Sequence, residues 1–368
     1  MNKPRSAAGL DDPEGARCAG VGSASLSVRP AREGDAAAWD AYAAEHPRAT
    51  FFHRSGWCRL IEETFPHAPR SLLVEGGGSI RGILPLFRCR GLRGGATLHS
   101  LPHTVYGGPL ADDAAAEAAL LEGARRVAAE EGARRIEFRN RYATSLGLAP
   151  LEGFVTFEKD LPKSPELCYR TLPKKAREAI NQARKRHHLE ASIATDLDAF
   201  LPLLAASYKN LGTPLFPSAF FARILAAFPR ESSILLVRHE GRPVAAVLSV
   251  TFRGIMMPLY SGEAALVGHL KANNFKYLAL MEHAVAIGCT RFDFGRSRVS
   301  NEGVVRFKIN QGFEPIPLPY EVDGATGDPG DAVADPNRGF YAQARRAWRR
   351  LPDGVARWLG PRLVRYFP

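Results

Sequence analysis

The sequence predicts a mixed α/β fold, with α+β mixed sheets built from two tandem copies of one unit and a basic amphipathic helical tail. Three observations support this prediction. Strand-like and helical stretches alternate along the chain. Hairpin-forming strands stand in the middle of each half, which differs from the strict βαβ alternation of a doubly wound fold. The second half then repeats the order of the first.

Three pairs of similar segments, in the same order in both halves, indicate an internal duplication. The pairs are residues 74–91 with 237–254, 106–108 with 260–262, and 131–140 with 287–296. Each half therefore consists of a strand, helices, short antiparallel strands, a loop, a long helix and a buried strand.

Hydrophobic periodicity and turn residues place the elements in order. In the first half we expect strands at 26–31, 71–75, 80–87, 134–140 and 154–161, and helices at 35–45, 55–65 and 114–131. In the second half we expect strands at 189–194, 233–239, 244–252, 254–260 and 291–297, and helices at 173–186, 198–209, 218–228 and 275–287.

Composition sets the predicted domain boundaries. Residues 1–25 mix small and charged residues without an apolar core, so we predict a disordered leader and no secretory signal. The first unit is expected over 26–165 and the second over 166–322. A Gly/Pro/Asp-rich linker at 323–337 precedes the basic amphipathic tail, 338–368.

Charge and cysteine usage narrow the class of protein. The net charge of +11 lies in two places, because 338–368 holds eight Arg against one Asp and 165–190 holds seven Lys/Arg against three Glu. The five cysteines are scattered without a CxxC motif, which favours free thiols in a reducing cytoplasm. The Arg/Trp tail could contact an anionic inner-membrane surface or dock on the body.

Polar residues cluster where the strand at 291–297 ends. In open α/β sheets this edge commonly binds ligands, so Asp293, Arg296 and Ser297 are predicted to line a site. Asp293 could orient or deprotonate an attacking amine, or be a structural acid paired with Arg296 or Arg291.

Lys308 is the second candidate catalytic residue. It lies on a short helix beside an apolar face formed by Val304, Val305 and Ile309. Its ammonium could stabilise an oxyanion, or it could be an ordinary surface lysine.

Further candidates for substrate binding come from one helix and one repeated motif. Lys174, Arg177 and Asn181 share a face of the helix at 173–186, which suits a phosphate but could equally be a solvated surface. Tyr106 and Tyr260 occupy matching positions before glycines, where a hydroxyl could bind substrate or the ring could pack.

Several familiar sites are absent from the sequence. His99 and His103 have the spacing of metal ligands but enclose Pro102 and lack a third ligand, so we predict no metal site. The chain has no GxSxG, HExxH or P-loop motif, which argues against the common hydrolases, zincins and NTPases.

The chain resembles the FemAB-related acyltransferases, which consist of two tandem GNAT (Gcn5-related N-acetyltransferase) domains, and is closest to the subgroup associated with exosortase/PEP-CTERM systems. The segments that carry the resemblance are 172–185, 212–221, 290–297, 306–321 and 348–361. It implies transfer of an acyl or aminoacyl group to an amine of a cell-envelope, peptidoglycan or exopolysaccharide precursor. It also implies that Lys308 lies near the transferring carbonyl and that Lys174 and Arg177 face an anionic part of a substrate.

The resemblance leaves the donor open. The loop before the helix at 275–287 lacks the glycine-rich signature that holds the pyrophosphate of coenzyme A, and Asn310 and Gln311 stand where peptidoglycan-type members usually have an aromatic residue. No bound cofactor is expected, and the donor substrate could be an acyl-CoA or an aminoacyl-tRNA. The alternatives are a catalytically inactive tandem fold acting as a binding or assembly factor of an exopolysaccharide system, and an RNA-binding protein.

Overall fold

The structure is a computed structural model that describes residues 25–91, 94–264, 267–324 and 339–368. The predicted leader and most of the predicted linker lie outside these residues. The strands are β1 (Ser27–Pro30), β2 (Ala68–Pro69), β3 (Leu72–Gly76), β4 (Ser79–Leu84), β5 (Phe87–Arg90), β6 (Ala96–His99), β7 (Leu110–Ala111), β8 (Ala133–Phe138), β9 (Ala149–Pro150), β10 (Phe154–Asp160), β11 (Glu190–Ala194), β12 (Ser232–His239), β13 (Arg242–Phe252), β14 (Ile255–Glu263), β15 (Arg291–Asp293), β16 (Ser297–Arg298), β17 (Glu314–Pro317) and β18 (Glu321–Gly324). The helices are α1 (Ala36–Glu45), α2 (Ser55–Thr64), α3 (Ala114–Glu130), α4 (Pro165–Cys168), α5 (Lys174–Asn181), α6 (Leu197–Leu211), α7 (Ser218–Ala227), α8 (Val267–Leu270), α9 (Ala272–Ala286), α10 (Glu302–Asn310), α11 (Gly339–Arg350) and α12 (Asp353–Val364).

The second half is built on one mixed sheet. Its strands follow the order β11-β12-β13-β14-β15-β10-β16, and β17 also pairs with β10. β14 and β15 are parallel but pair only at Ile255 with Arg291 and Met256 with Phe292. The other pairings are antiparallel. The sheet therefore has one parallel step, made by the connection through α9.

The first half divides the equivalent strands between two sheets. One has the order β1-β3-β4-β7 and the other β2-β5-β6-β8-β18-β9. β6 and β8 are parallel and are joined through the long helix α3, just as β14 and β15 are joined through α9. β4 and β5 are separated by Pro85, which has no N–H to donate to a neighbouring strand. The aligned position in β13 is a register shift at Leu248 and Ser249. The predicted mixed α/β fold is confirmed.

One strand from each half pairs in a sheet of the other half. β10 precedes the second half in the chain but pairs with β15, β16 and β17 of the second sheet. β18 follows the second half but lies between β8 and β9 of the first half. The predicted boundaries placed β10 in the first unit and the start of β18 in the second, so for these two strands sheet membership differs from chain order.

A shared core joins the two halves. Phe51, Trp57 and Tyr106 of the first half lie in one buried cluster with Phe220 and Leu248 of the second. The ring centroids of Phe51 and Phe228 are 4.8 Å apart, and Trp57 stacks on Phe228. Burial of large aromatic side chains contributes strongly to stability, so this contact favours one cooperative body.

We expect that neither half folds alone, because each supplies a strand to the sheet of the other. Residues 25–162 without the rest lack β18 and expose the unpaired edges of β10. This fragment should show no cooperative thermal transition by circular dichroism. Coexpression with residues 163–368 should restore one, with both fragments eluting together. A cooperatively folded monomer of residues 25–162 would contradict the expectation.

Candidate active site

Asp293 lies at the end of β15, and its buried carboxylate accepts three hydrogen bonds. The donors are the Tyr106 hydroxyl at 2.9 Å, the Thr156 hydroxyl at 2.9 Å and the Gly295 N–H at 2.7 Å. Gly295 has a φ of +66°, a conformation that a glycine adopts without strain, and it turns its N–H back to the carboxylate. Tyr106 comes from the first half, and Thr156 comes from β10, the strand of the first half that pairs in the second sheet. The site therefore lies where the two halves meet.

The two hydroxyl groups also contact each other. The Tyr106 and Thr156 oxygens are 2.6 Å apart, so three oxygen–oxygen contacts form a closed ring with Asp293. When Asp293 is ionised, the two hydroxyl protons can form hydrogen bonds in only two of these three contacts. A proton on Asp293 would supply the third hydrogen bond. Burial raises the pKa of Asp293, and the nearby Glu158 carboxylate raises it further. The hydrogen-bond geometry and the electrostatics thus both favour the protonated carboxyl.

Lys308 is held by the turn that follows Asp293. Its ammonium donates to the carbonyl oxygens of Phe294 and Gly295, at 3.2 and 3.1 Å, and to the Ser297 hydroxyl at 2.9 Å. The nitrogen also lies 5.0 Å from the ring centroid of Phe157 and 5.3 Å from that of Phe294. Burial lowers the pKa of Lys308 to about 8, although Asp293 opposes the shift. Lys308 is therefore not an ordinary surface lysine.

Lys308 is the buried residue of α10, at 6% exposed, and Val305 of the same helix is partly buried against the core. The predicted apolar face of α10 is wrong in part, because Val304 and Ile309 are 38% and 46% exposed. Phe307 gives a second contact, with its ring 5.6 Å from that of Tyr277. The sequence pattern suggested burial of the aliphatic residues, whereas the charged residue between them is the one buried.

Arg296 and Ser297 lie in the same turn but have different surroundings. Ser297 accepts from Lys308, as described. The Arg296 guanidinium lies 5.0 Å from the ring centroid of Phe154 and hydrogen-bonds with Tyr320. Arg291 pairs with Asp160 at 3.2 Å. The alternative in which Asp293 is neutralised by Arg296 or Arg291 is therefore wrong.

The structure separates the two tyrosines. Tyr260 lies within β14, not in a loop, and its ring packs against Phe216, Phe220 and Phe221 at centroid distances of 5.6, 5.8 and 5.2 Å. The Tyr106 hydroxyl instead donates a hydrogen bond to Asp293 of the second half. The expected common role of Tyr106 and Tyr260 is thus not what the structure shows.

The basic face of α5 lies near the end of α10 without entering the buried cluster. Lys174 and Asn181 are exposed and Arg177 is half-buried. The start of α5 is close to the chain just after α10, because a Cβ on Gly312 would lie 3.1 Å from Pro173.

Sequence reasoning missed Thr156, Glu158 and Arg141. Glu158 and Arg141 form a partly buried ion pair, and the Arg141 guanidinium lies 5.5 Å from the Tyr106 ring centroid. Thr156 and Glu158 alternate with apolar residues on β10, so a period-two pattern was available. The strand had been assigned to the wrong sheet, which hid the fact that they face Asp293.

Gln311 is a further missed residue. Its side chain is fully buried directly after α10, and neither polar atom of its amide has a hydrogen-bond partner in the described part of the chain. A buried amide without hydrogen bonds costs free energy of folding, so a polar partner at this position would be stabilising. No sequence signal beyond its place after Lys308 pointed to it.

The aligned acid of the first half has a different environment. Glu137 corresponds to Asp293 and is equally buried, but its carboxylate lies 2.9 Å from the Arg139 guanidinium. Although burial opposes ionisation, Arg139 and His99 hold the pKa of Glu137 well below its usual range. Where the first half has Arg139, the second has Gly295. The two aligned acids therefore differ in charge state, because burial raises the pKa of Asp293 while Arg139 and His99 lower that of Glu137.

Two clefts of the surface lie away from this cluster. One of about 630 Å³ is lined by Asp40, Arg54 and Arg253 among others, and one of about 460 Å³ lies between β11 and α9. Neither includes Asp293 or Lys308, which are both buried. We take the buried cluster as the candidate active site, because its hydrogen bonds and pKa shifts are chemically specific whereas cleft volume is not.

We expect the stability contribution of Lys308 to depend on pH. Its pKa is 10.5 in the unfolded chain and about 8 in the fold, so between these values the unfolded chain binds more protons and raising the pH favours folding. This shift corresponds to roughly 3 kcal/mol. The free energy of unfolding of the wild type should gain about this much over Lys308→Met between pH 7 and pH 10.5, measured by urea denaturation. The exposed Lys163, changed to Met, is the control, and a constant difference for Lys308→Met would contradict the burial argument.

Comparisons with known proteins agree with this architecture. Residues 170–308 match the family model of the acetyltransferase (GNAT) domain. The crystal structure of FemX superposes with a TM-score of 0.65 at 14% identity, over 84% of this chain and 99% of FemX. A tandem GNAT protein from the clavulanic acid biosynthesis pathway superposes with a TM-score of 0.53 at 12% identity, over 83% and 100%.

A third similar structure is a conserved protein of unknown function from Bacteroides thetaiotaomicron, with a TM-score of 0.52 at 10% identity, over 81% and 99% of the two chains. No curated protein sequence matches this chain significantly. The second half of the chain therefore carries a GNAT acetyltransferase domain, and more than four fifths of the chain shares the fold of FemX and of a tandem GNAT protein.

Proposed function

We propose that the chain is a FemAB-like N-acyltransferase, which moves an aminoacyl or acyl group from an activated donor onto an amine of a cell-envelope or exopolysaccharide precursor. The observation that carries the proposal is the buried cluster of Lys308, Asp293 and Tyr106, at the end of a strand within the GNAT-matching segment. Closed, low-dielectric sites strengthen the electrostatic stabilisation on which acyl transfer depends.

The transfer forms a C–N bond and breaks the C–O or C–S bond of the donor. The amine attacks the donor carbonyl and loses a proton, while the leaving oxygen or sulfur gains one. Lys308, with a pKa of about 8, keeps its proton at neutral pH and donates it in a hydrogen bond to the developing oxyanion. To do so it gives up one of its bonds to the Phe294 or Gly295 carbonyl or to Ser297.

Asp293 handles the proton in this proposal. Burial raises the pKa of its carboxyl, so this group holds a proton more readily than an ordinary aspartate and can exchange it, and the Tyr106 and Thr156 hydroxyls connect it to its surroundings. Arg296 and Ser297 hold the shape of the turn. Lys174, Arg177 and Asn181 on the exposed face of α5 bind phosphate groups of the donor, which both coenzyme A and the acceptor end of tRNA possess.

One observation favours the second candidate function, an inactive binding or assembly factor. All three donors of the Lys308 ammonium have acceptors within the protein, and the cluster is enclosed. In this second function, Lys308 holds α10 in place and takes no part in chemistry. Activity and ligand-induced stability separate the two candidates.

The test uses the full chain with two labelled donors, ¹⁴C-acetyl-CoA and total tRNA charged with ¹⁴C-amino acids, and an extract of envelope precursors from the host cell. We expect transfer of acid-stable label from one donor. Lys308→Met should lower the rate about 10²–10³-fold, which is typical for loss of one oxyanion donor. Asp293→Asn should do the same, and Lys163→Met should leave the rate unchanged.

Two results would overturn the proposal. The first is equal transfer by wild type and Lys308→Met. The second is no transfer from either donor together with no increase in melting temperature on adding coenzyme A or tRNA, since a ligand that binds the native state must stabilise it. The second result favours the binding or assembly factor.

A further inference from the structure

The C-terminal helices α11 and α12 are docked on the body by specific contacts. Trp348 on α11 is buried, and the Arg345 guanidinium donates to the Leu211 carbonyl oxygen at 3.0 and 2.8 Å. Lys209 forms an ion pair with Asp353 at the start of α12. Both contacts involve the end of α6, so the tail is a fixed part of the molecule.

One face of α12 packs against the body. Ala356, Gly360 and Val364, spaced by four residues, are all buried. A Cβ on Gly360 would lie 2.9 Å from the Leu215 backbone nitrogen, so the helix approaches as closely as a glycine allows. Because this face is fixed, the direction of the opposite face is fixed as well.

The opposite face presents an exposed tryptophan. Trp358 is 60% exposed, whereas Trp39, Trp57 and Trp348 are buried. The Arg362 guanidinium, one turn later, lies 4.1 Å from the Trp358 ring centroid. Val355, one turn earlier, is 42% exposed. The centre of the outer face is therefore apolar, with a cation directly beside it.

The two C-terminal helices are strongly basic. The exposed arginines of the two helices are Arg346, Arg349, Arg350, Arg357 and Arg362. The single acid of this segment, Asp353, is already paired with Lys209. Phe367, beyond α12, is 42% exposed and adds to the apolar area. The positive charge of the two helices thus has no acidic partner within the segment.

This combination fits an anionic lipid surface. A tryptophan ring is favourable at the level of lipid headgroups, and each arginine near an anionic leaflet contributes about 1 kcal/mol. No helix in the described part of the chain is long and apolar enough to cross a membrane, so any contact would be peripheral. A nucleic acid would attract the arginines equally, but it would leave Val355 and Phe367 in water.

We propose that the outer face of α12, centred on Trp358, together with the exposed arginines of α11, binds anionic phospholipid bilayers. The orientation follows from the packing: Ala356, Gly360 and Val364 face the body while Trp358 enters the headgroup layer. This contact is independent of the proposed acyl transfer.

The test is flotation of the full chain with vesicles of 30% phosphatidylglycerol in phosphatidylcholine, and with vesicles of phosphatidylcholine alone. We expect binding to the anionic vesicles only, with affinity falling as salt increases. Trp358→Ser should weaken binding at least 10-fold. The double change Arg349→Ser, Arg350→Ser should weaken it roughly 30-fold, since about 1 kcal/mol per arginine is about fivefold. The matched control is Arg90→Ser, Arg230→Ser, which removes two exposed arginines of the body.

Tryptophan fluorescence gives an independent readout. Because the other three tryptophans are buried, a blue shift of emission on adding anionic vesicles should come from Trp358 and disappear in Trp358→Phe. Unchanged melting by circular dichroism shows that each variant is folded. Equal vesicle binding by wild type and Trp358→Ser would overturn the proposal. So would binding of total tRNA that depends on Trp358 in the absence of any vesicle binding.

Discussion

The pairing of β10 with β15 is the contact on which the candidate site depends. β10 is carried by the first half of the chain, yet its register with β15 sets Thr156 within hydrogen-bond distance of Asp293 and Glu158 directly opposite it. The Phe157 ring on the same strand faces the ammonium of Lys308. Without this strand, Asp293 would lose a donor, its neighbouring carboxylate and part of its shielding from water. The charge properties of the site are thus a result of sheet assembly across the two halves.

The two copies of the unit also show how one fold position can take two electrostatic states. Glu137 and Asp293 occupy aligned strand ends and are equally buried. A guanidinium beside Glu137 fixes it as a carboxylate, whereas hydroxyl groups and a backbone N–H surround Asp293. Buried charges are stable when paired, and a buried acid without a cation tends to hold its proton. The aligned residues Arg139 and Gly295 account for this difference, because the first supplies a cation and the second only a backbone N–H.

Much of this organisation could be predicted from the sequence, because it rests on periodicity and internal similarity. The alternation of elements, the repeat, and the grouping of Asp293, Ser297 and Lys308 are all local or near-local features. The exchange of β10 and β18 could not be predicted, since strand pairing across more than a hundred residues leaves no local trace. For the same reason the sequence does not show that the hydroxyl of Tyr106 contacts Asp293 of the other half. The burial of Lys308 between exposed aliphatic residues contradicts the usual hydrophobic pattern, and such exceptions are expected at functional positions.

The attachment of α10 has a consequence for how the molecule would work. Within this helix the charged end of Lys308 serves as the anchor, and its anchoring partners are the carbonyl oxygens of the preceding turn. A substrate oxygen that accepts a hydrogen bond from this ammonium must therefore compete with the carbonyl oxygens that hold the helix. In the proposed reaction, binding of such an oxygen would therefore also weaken the contact between α10 and this turn.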